Sequence, residues 1–322
     1  MVDQNLGFIV ASLESVGVER WFEIGKQPPQ LREATAGLRA TLESDGLKSH
    51  FRLVALDTAD KIRAKVGGYL TANGRLTFWA VYHRLTENAA TRRALTQLLV
   101  SSCISRACSV PTTRYVETQP AHDTPELEIF EDAIRAQGLI QIAESRLYQR
   151  NLECKQSLEP SLRERGIRFV PYDQLEPQIV TSLFDAVRHT TLDRAERHSV
   201  LTSQETLTEL RVVADSAGTT RLWSIALKDG VPSGYLLCAL SEVTGGESST
   251  GTIVEIGVIN EARRQGIGRF MLTTAIEEFR LRGARTAEAL IDVVNTSSIR
   301  LHQSLGFSIT PGSYWTWRRI LQ

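Results

Sequence analysis

Residues 253–270, IVEIGVINEARRQGIGRF, gather the residue types that bind a phosphate-bearing ligand. The segment 253–259 is apolar and β-branched, as a buried strand is. A short polar turn follows, and Arg263-Arg264-Gln265-Gly266-Ile267-Gly268 then opens a helical pattern that runs to about Arg282. Gly266 and Gly268 leave the backbone bare where that helix begins. An anion can reach its unpaired N–H groups and the positive end of its dipole. Arg263, Arg264 and Arg269 add fixed positive charge suited to phosphate oxygens. The spacing suits a pyrophosphate cradle, though a strand–turn–helix joint with glycines for packing would read the same way.

Two familiar phosphate motifs do not match. A dinucleotide fingerprint needs a third glycine where Met271 stands, and a P-loop needs a lysine that is absent. Arg263-x-x-Gly266-x-Gly268 resembles the coenzyme A loop of the GNAT N-acetyltransferase superfamily, Q/R-x-x-G-x-G/A. Downstream, Asn295-Thr-Ser-Ser-Ile-Arg-Leu301-His302-Gln-Ser-Leu-Gly306-Phe307 resembles that family's N-x-x-A-x-x-L-Y-x-x-x-G-F. The resemblance covers residues 167–322.

It implies acetyl-CoA (coenzyme A) as cofactor and a primary amine of a small molecule or peptide as acceptor. Arg263, Arg264, Gln265, Gly266, Ile267, Gly268 and Arg269 would hold the pyrophosphate. Asn295, with Ser298 beyond it, would contact the pantetheine arm, although Asn295 also reads as a helix N-cap. The strand at Ile256, Gly257 and Val258 would carry a bulge and splay from residues 291–293, facing the thioester oxygen with backbone N–H groups. Glu255 is the nearest carboxylate for a general base, with an ion-pair role as the alternative. This family often places its glutamate a few residues earlier, where Thr252 stands here. Asp292 is the runner-up base, or a residue that positions the loop before Asn295. His302 occupies the family's tyrosine position and would be the general acid, or simply a partly buried helix residue. The competing function is a non-catalytic acyl-CoA-binding regulatory module.

Composition constrains the remainder. The chain has 322 residues, long enough for two cores, with 42% hydrophobic residues. Its 37 basic and 37 acidic side chains balance to zero, which gives no global drive toward nucleic acid or membrane. The first 21 residues do not read as a signal peptide, and no apolar run has the length of a membrane span. Cys103, Cys108, Cys154 and Cys238 are scattered without a CxxC pair, so reduced thiols and a cytoplasmic location are expected. His189, Asp193, Glu196 and His198 lack metal-ligand spacing, and no metal is expected. The oligomeric state is left open.

The elements that must position these residues follow an α/β rhythm. In the first half, 31–47 is helical, 51–56, 65–70 and 76–82 are strands, and Asn73-Gly74 is a hairpin turn. Then come a helix at 88–107, a strand at 114–118, a helix at 126–136 and an extended segment at 140–152. In the second half, 166–172 is a strand and 175–188 a helix. Strands 222–227 and 234–240 flank a turn at 228–230, and 244–251 is a loop. A strand at 289–294, a helix at 296–305 and a strand at 314–321 end the chain.

The halves repeat in a consistent order. Val66-Gly-Gly68-Tyr69-Leu70 parallels Pro232-Ser-Gly234-Tyr235-Leu236, and Gly138-Leu139 parallels Gly306-Phe307. The expected fold is α/β, layered as α+β, with two GNAT-like domains. Each has a mixed, mostly antiparallel sheet flanked by helices, over 1–153 and 166–322, joined by a linker at 154–165. The first half has no glycine between 83 and 99, so side chains cover the backbone a pyrophosphate would need. It is expected to keep the fold and to have lost ordinary cofactor binding. The acceptor pocket is expected from 188–201 and 312–317, where Tyr314, Trp315 and Trp317 either form an aromatic wall or alternate between core and surface.

Overall fold

A computed structural model describes residues 2–3, 7–24, 51–153, 166–214, 219–241 and 249–321. The expected helix at 31–47, the linker at 154–165, Cys154 and most of the loop at 244–251 lie outside the described residues. Contacts divide the chain into two units, 1–142 with 314–322, and 143–313.

The first unit has strands β1 (Val2–Asp3), β2 (Phe8–Ser12), β3 (Leu53–Leu56) and β4 (Ile62–Val66). It continues with β5 (Gly68–Leu70), β6 (Arg75–Phe78), β7 (Tyr82–His83) and β8 (Tyr115–Thr118). Its helices are α1 (Leu13–Val16), α2 (Ala89–Ser109) and α3 (Leu127–Ala136). Strands β9 (Ile140–Asn151), β10 (Ile167–Pro171), β11 (Thr219–Lys228), β12 (Val231–Ser241), β13 (Thr250–Val258), β14 (Thr286–Asp292) and β15 (Ser308–Ile309) follow. With them come helices α4 (Pro177–Arg188), α5 (Arg194–Arg197), α6 (Ser203–Ala214), α7 (Ile267–Leu281) and α8 (Thr296–Ser304), before the last strand, β16 (Tyr314–Ile320).

Two expectations about domain limits are corrected. β16 pairs with β8, Trp317 opposite Thr118, so the C-terminal strand belongs to the first unit. Residues 145–151 of β9 pair with β14, Ser145 opposite Asp292 and Asn151 opposite Thr286, within the second unit. A strand pairs with the neighbour that satisfies its backbone groups, and chain order does not decide which neighbour that is. Trp317 accordingly lies in the core of the first unit with Leu76, Leu99 and Phe130. Of the two readings of the aromatic segment, alternation into a core is the one observed for Trp317.

The repeat shows in the pairing pattern of each unit. In the first, β5–β6 is antiparallel, β6–β8 parallel and β8–β16 antiparallel. In the second, β12–β13 is antiparallel, β13–β14 parallel and β14–β9 antiparallel. Where the two differ is at the start of the helix after the third strand. α2 is capped by Asn88, whose side chain accepts from the Thr91 N–H, and Arg92 is paired with Glu126.

α7 shows why this sequence makes a helix in the second unit. Ile267, Met271, Leu272, Ala275, Ile276 and Phe279 recur at helical spacing and are all buried. Each large side chain contributes roughly 1.5–3 kcal/mol by leaving water. Gly266 precedes the helix at φ 85°, a left-handed conformation that favours glycine. The stretch 203–214, left without an element in the sequence reading, is helix α6. Its signal was a capping box: Glu205 Oε2 accepts from the Thr202 N–H at 2.8 Å, and the Glu205 N–H donates to Thr202 Oγ1 at 3.2 Å.

Candidate active site

β13 is the element from which the site is built. It pairs with β14 only over Thr250–Ile253 and Thr286–Ala289, and with β12 as far as Val258 opposite Gly234. Residues 255–258 are therefore paired on one side alone, and a gap opens beside them. The bulge falls earlier than expected. Leu237 stands opposite Glu255 and Cys238 opposite Ile253, so Val254 is the extra residue, and 256–258 is regular strand. A bulge at Val254 turns the pleat just before Glu255 and so sets where that side chain points.

The gap is part of a cleft of about 480 Å³. Ile256, Gly257, Val258, Arg263, Arg264, Gly266, Ile267, Gly268, Arg269, Asn295 and Ser298 all line it. Gln265 does not: its Oε1 accepts from Lys228 Nζ, and its Nε2 donates to the Glu261 carbonyl at 3.0 Å. Gln265 is thus a loop fastener and not a cleft residue. Arg263 lines the cleft but is also tied back, donating to the Val258 carbonyl at 3.0 Å and to Thr190. Arg264, at φ 64°, and Arg269, which donates to Ser304 Oγ at 3.0 Å, bring charge to the same wall. Asn295 caps α8 by accepting from the Ser298 N–H at 3.2 Å, the structural role expected of it, and it also lines the cleft. The sequence reading missed Thr191 and Arg300 in this lining.

A second, smaller cavity of about 80 Å³ shares Val187, Thr191, Ile256, Asn295 and Ser298 with the cleft. Glu255 and His302 both line it, 47 positions apart in the chain, together with Arg188, Asp193, Glu196 and Tyr235. Tyr235 Oη donates to Glu255 Oε2 at 3.0 Å. Burial, and then the charge of Glu196, push the Glu255 carboxyl well above its ordinary range, while the Tyr235 hydrogen bond acts the other way. Burial likewise pushes the Tyr235 phenol up. Glu196 is ion-paired with Arg188 at 3.1 Å, and Asp193 Oδ1 accepts from the Glu196 N–H.

His302 is 1% exposed and packs edge-on against Phe307. Its Nδ1 lies 2.8 Å from the Ser298 carbonyl. A carbonyl only accepts, so Nδ1 is assigned the proton. Burial lowers the pKa of this ring, which keeps it neutral near pH 7. Nε2, buried and without a hydrogen-bond partner among the described residues, then carries a lone pair. In this tautomer the ring offers the cavity an acceptor, and the general-acid role expected of His302 would need the proton on Nε2 instead.

Asp292, the runner-up base, is fully engaged. Its carboxylate takes the Arg194 backbone N–H at 2.8 Å, the Arg194 guanidinium at 2.9 Å and the Val294 N–H at 3.1 Å. It holds the segment before Asn295 in place, the structural alternative foreseen for it.

The second unit is thus a mixed α/β layer with a cleft at the start of α7 and a carboxylate, Glu255, in the adjoining cavity. Residues 185–307 match the model of the acetyltransferase (GNAT) family. A segment of 68 residues is 31% identical to a mycothiol acetyltransferase of Thermobispora bispora, spanning 21% of this chain and 23% of that protein. The fold is shared over nearly the whole chain with a GCN5-related N-acetyltransferase from Sphaerobacter thermophilus, at TM-score 0.64, 15% identity and coverage of 98% and 96% of the two chains. A tandem GNAT protein from the clavulanic acid biosynthesis pathway gives TM-score 0.61, 14% identity and 98% of both chains. GNAT enzymes use acetyl-CoA.

Proposed function

We propose that this protein is an N-acetyltransferase that moves an acetyl group from acetyl-CoA to a primary amine by direct attack. The observation that carries the reading is the continuity of the cleft. It is walled by the bare N-terminus of α7 and the unpaired edge of β13, and it shares Val187, Thr191, Ile256, Asn295 and Ser298 with the cavity that Glu255 lines.

The donors present suit the cofactor. The first turn of α7 and the guanidiniums of Arg264 and Arg269 are matched to phosphate oxygens. The unpaired edge of β13 is matched to the amide groups of an extended pantetheine arm. Bound there, acetyl-CoA supplies the activated acyl group. Glu255 accepts a proton from the acceptor nitrogen, and its raised proton affinity suits a base working near neutrality. Tyr235 holds the carboxylate in one orientation. The first unit, whose equivalent helix start is filled by the Asn88 cap and the Arg92–Glu126 pair, serves as a scaffold without an ordinary cofactor site.

The test is calorimetric titration with acetyl-CoA beside product analysis with a panel of amines. Glu255→Gln should retain the cofactor Kd and lose activity by roughly a hundredfold or more. Binding without any acetylated product would favour the regulatory-module reading, and a fully active Glu255→Gln would remove Glu255 from the chemistry.

A further inference from the structure

Arg263 lines the cleft beside the start of α7, yet its guanidinium is turned to the protein. Nε donates to the Val258 carbonyl at 3.0 Å. Nη1 and Nη2 each lie 3.4 Å from the Thr190 carbonyl, Nη2 also donates to Thr190 Oγ1, and Nη1 is 3.5 Å from Asn260 Oδ1. A guanidinium has five N–H groups, and these contacts occupy all of them. Every acceptor is neutral, and no N–H is left over for a phosphate. The two main anchors belong to different elements. Val258 ends β13, and Thr190 follows α4, where its N–H and its Oγ1 both donate to the Val187 carbonyl at 3.1 Å. Val187 in turn packs on β13, since a Cβ at Gly257 would lie 2.6 Å from Val187 Cγ1. Arg263, Val258, Gly257, Val187 and Thr190 thus close a ring of contacts, and all five line the cleft.

We propose that Arg263 is a positioning residue for acetyl transfer, which fixes the separation between the free edge of β13 and the chain at Thr190. The phosphates are left to the start of α7, Arg264 and Arg269. This rests on the acetyl-transfer reading and gives one cleft residue a different task within it. The edge at 255–258 must meet an extended donor arm, and Thr191 and Leu192, the next two residues after Thr190, line the same cleft. If the ring slackens, the wall at Thr190 moves off that edge. A displacement of about 1 Å at a reacting group costs on the order of a hundredfold in rate. Lysine does not replace arginine here. Its ammonium offers three hydrogens from one nitrogen, whereas the planar fork reaches Val258 and Thr190 together. The tie is geometric, and charge alone does not restore it.

The experiment compares two donors on the full-length protein, acetyl-CoA and S-acetylpantetheine, which has the same arm and no phosphate. The acceptor is the amine of the panel that wild type acetylates fastest. Arg263→Lys and Arg263→Gln should each lower kcat about tenfold with both donors, by the same factor, while the acetyl-CoA Kd stays within about threefold of wild type. A phosphate ligand gives another pattern: a raised Kd for acetyl-CoA and an unchanged rate with S-acetylpantetheine. That pattern, or recovery of wild-type kcat in Arg263→Lys, overturns the proposal. Thr190→Val removes the hydroxyl acceptor and should lower kcat about threefold, with less than that further loss when it is added to Arg263→Lys, as for two ends of one contact. Full additivity of the two losses would also count against the tie. Hydrogen exchange tests the ring without turnover. The Thr190 amide should exchange about tenfold faster in Arg263→Lys, while amides of α7 keep their wild-type rates. Unchanged exchange at Thr190 refutes the tie. Faster exchange there in a chain that acetylates no amine would keep the ring and refute acetyl transfer.

Discussion

At the scale of single residues, position decides what a carboxylate does. Glu255 and Asp292 are two acids of one fold with opposite fates. Asp292 has its oxygens taken by Arg194 and Val294, whereas Glu255 receives one phenolic hydrogen bond and faces a cavity. Asp292→Ala should therefore cost stability, by about 2–3 kcal/mol. That is less than a fully buried pair, because Arg194 keeps 34% of its side-chain surface exposed. The midpoint of urea unfolding at constant slope measures the loss. Glu255 carries a pH signature of the other sign from the usual acid. Its folded-state pKa is raised, so the folded chain binds this proton more tightly than the unfolded chain. That contribution is present at low pH and is lost as pH rises through the raised value. Glu255→Gln should accordingly melt higher than wild type at alkaline pH, with the difference vanishing toward pH 4. The acidic limb of wild-type kcat/KM should lie above the ordinary glutamate pKa of about 4.3.

At the scale of elements, β13 and the turn before α7 make the site. Gly257 is present for space: a Cβ there would lie 2.6 Å from Val187 Cγ1 and 2.8 Å from the Tyr235 ring. Gly257→Ala should lower the melting temperature, by the roughly 1–3 kcal/mol typical of overpacking, and weaken acetyl-CoA binding in the same titration. α6 depends on its capping box, and Thr202→Ala should cost about 1 kcal/mol of stability without changing the cofactor Kd.

For the whole chain, one fold is present twice with one bare helix start. Titration should give one acetyl-CoA site per chain, abolished by Gly266→Asp, which places a side chain and a negative charge where φ is 85° and the anion would sit. Two sites would refute the scaffold role of the first unit. A single site that survives Gly266→Asp would refute the cradle. Among the described residues no helix is long and apolar enough to cross a membrane.

The local rules were legible in the sequence. Strand–turn–helix around Gly266, the Asn295 cap and the repeated order of elements depend on neighbours in the chain, and residue type and spacing encode those. The small cavity and the second carboxylate were not legible. Asp193 and Glu196 stood out only as poorly spaced for a metal, and nothing local told that from α5 they line one cavity with Glu255 of β13 and Tyr235 of β12. Nor could chain order reveal that β16 completes the first unit and that part of β9 lies in the second. Strand partners are chosen by distant backbone groups that must be satisfied, and the proton on His302 is placed by a carbonyl one turn away that points at Nδ1 only once α8 is folded. The chain alone therefore determined a strand–turn–helix joint with glycines at the helix start and arginines beside it. Tertiary structure decided which acids share the cavity beyond it, because charge, burial and hydrogen-bond valence there are properties of side chains that only folding brings together.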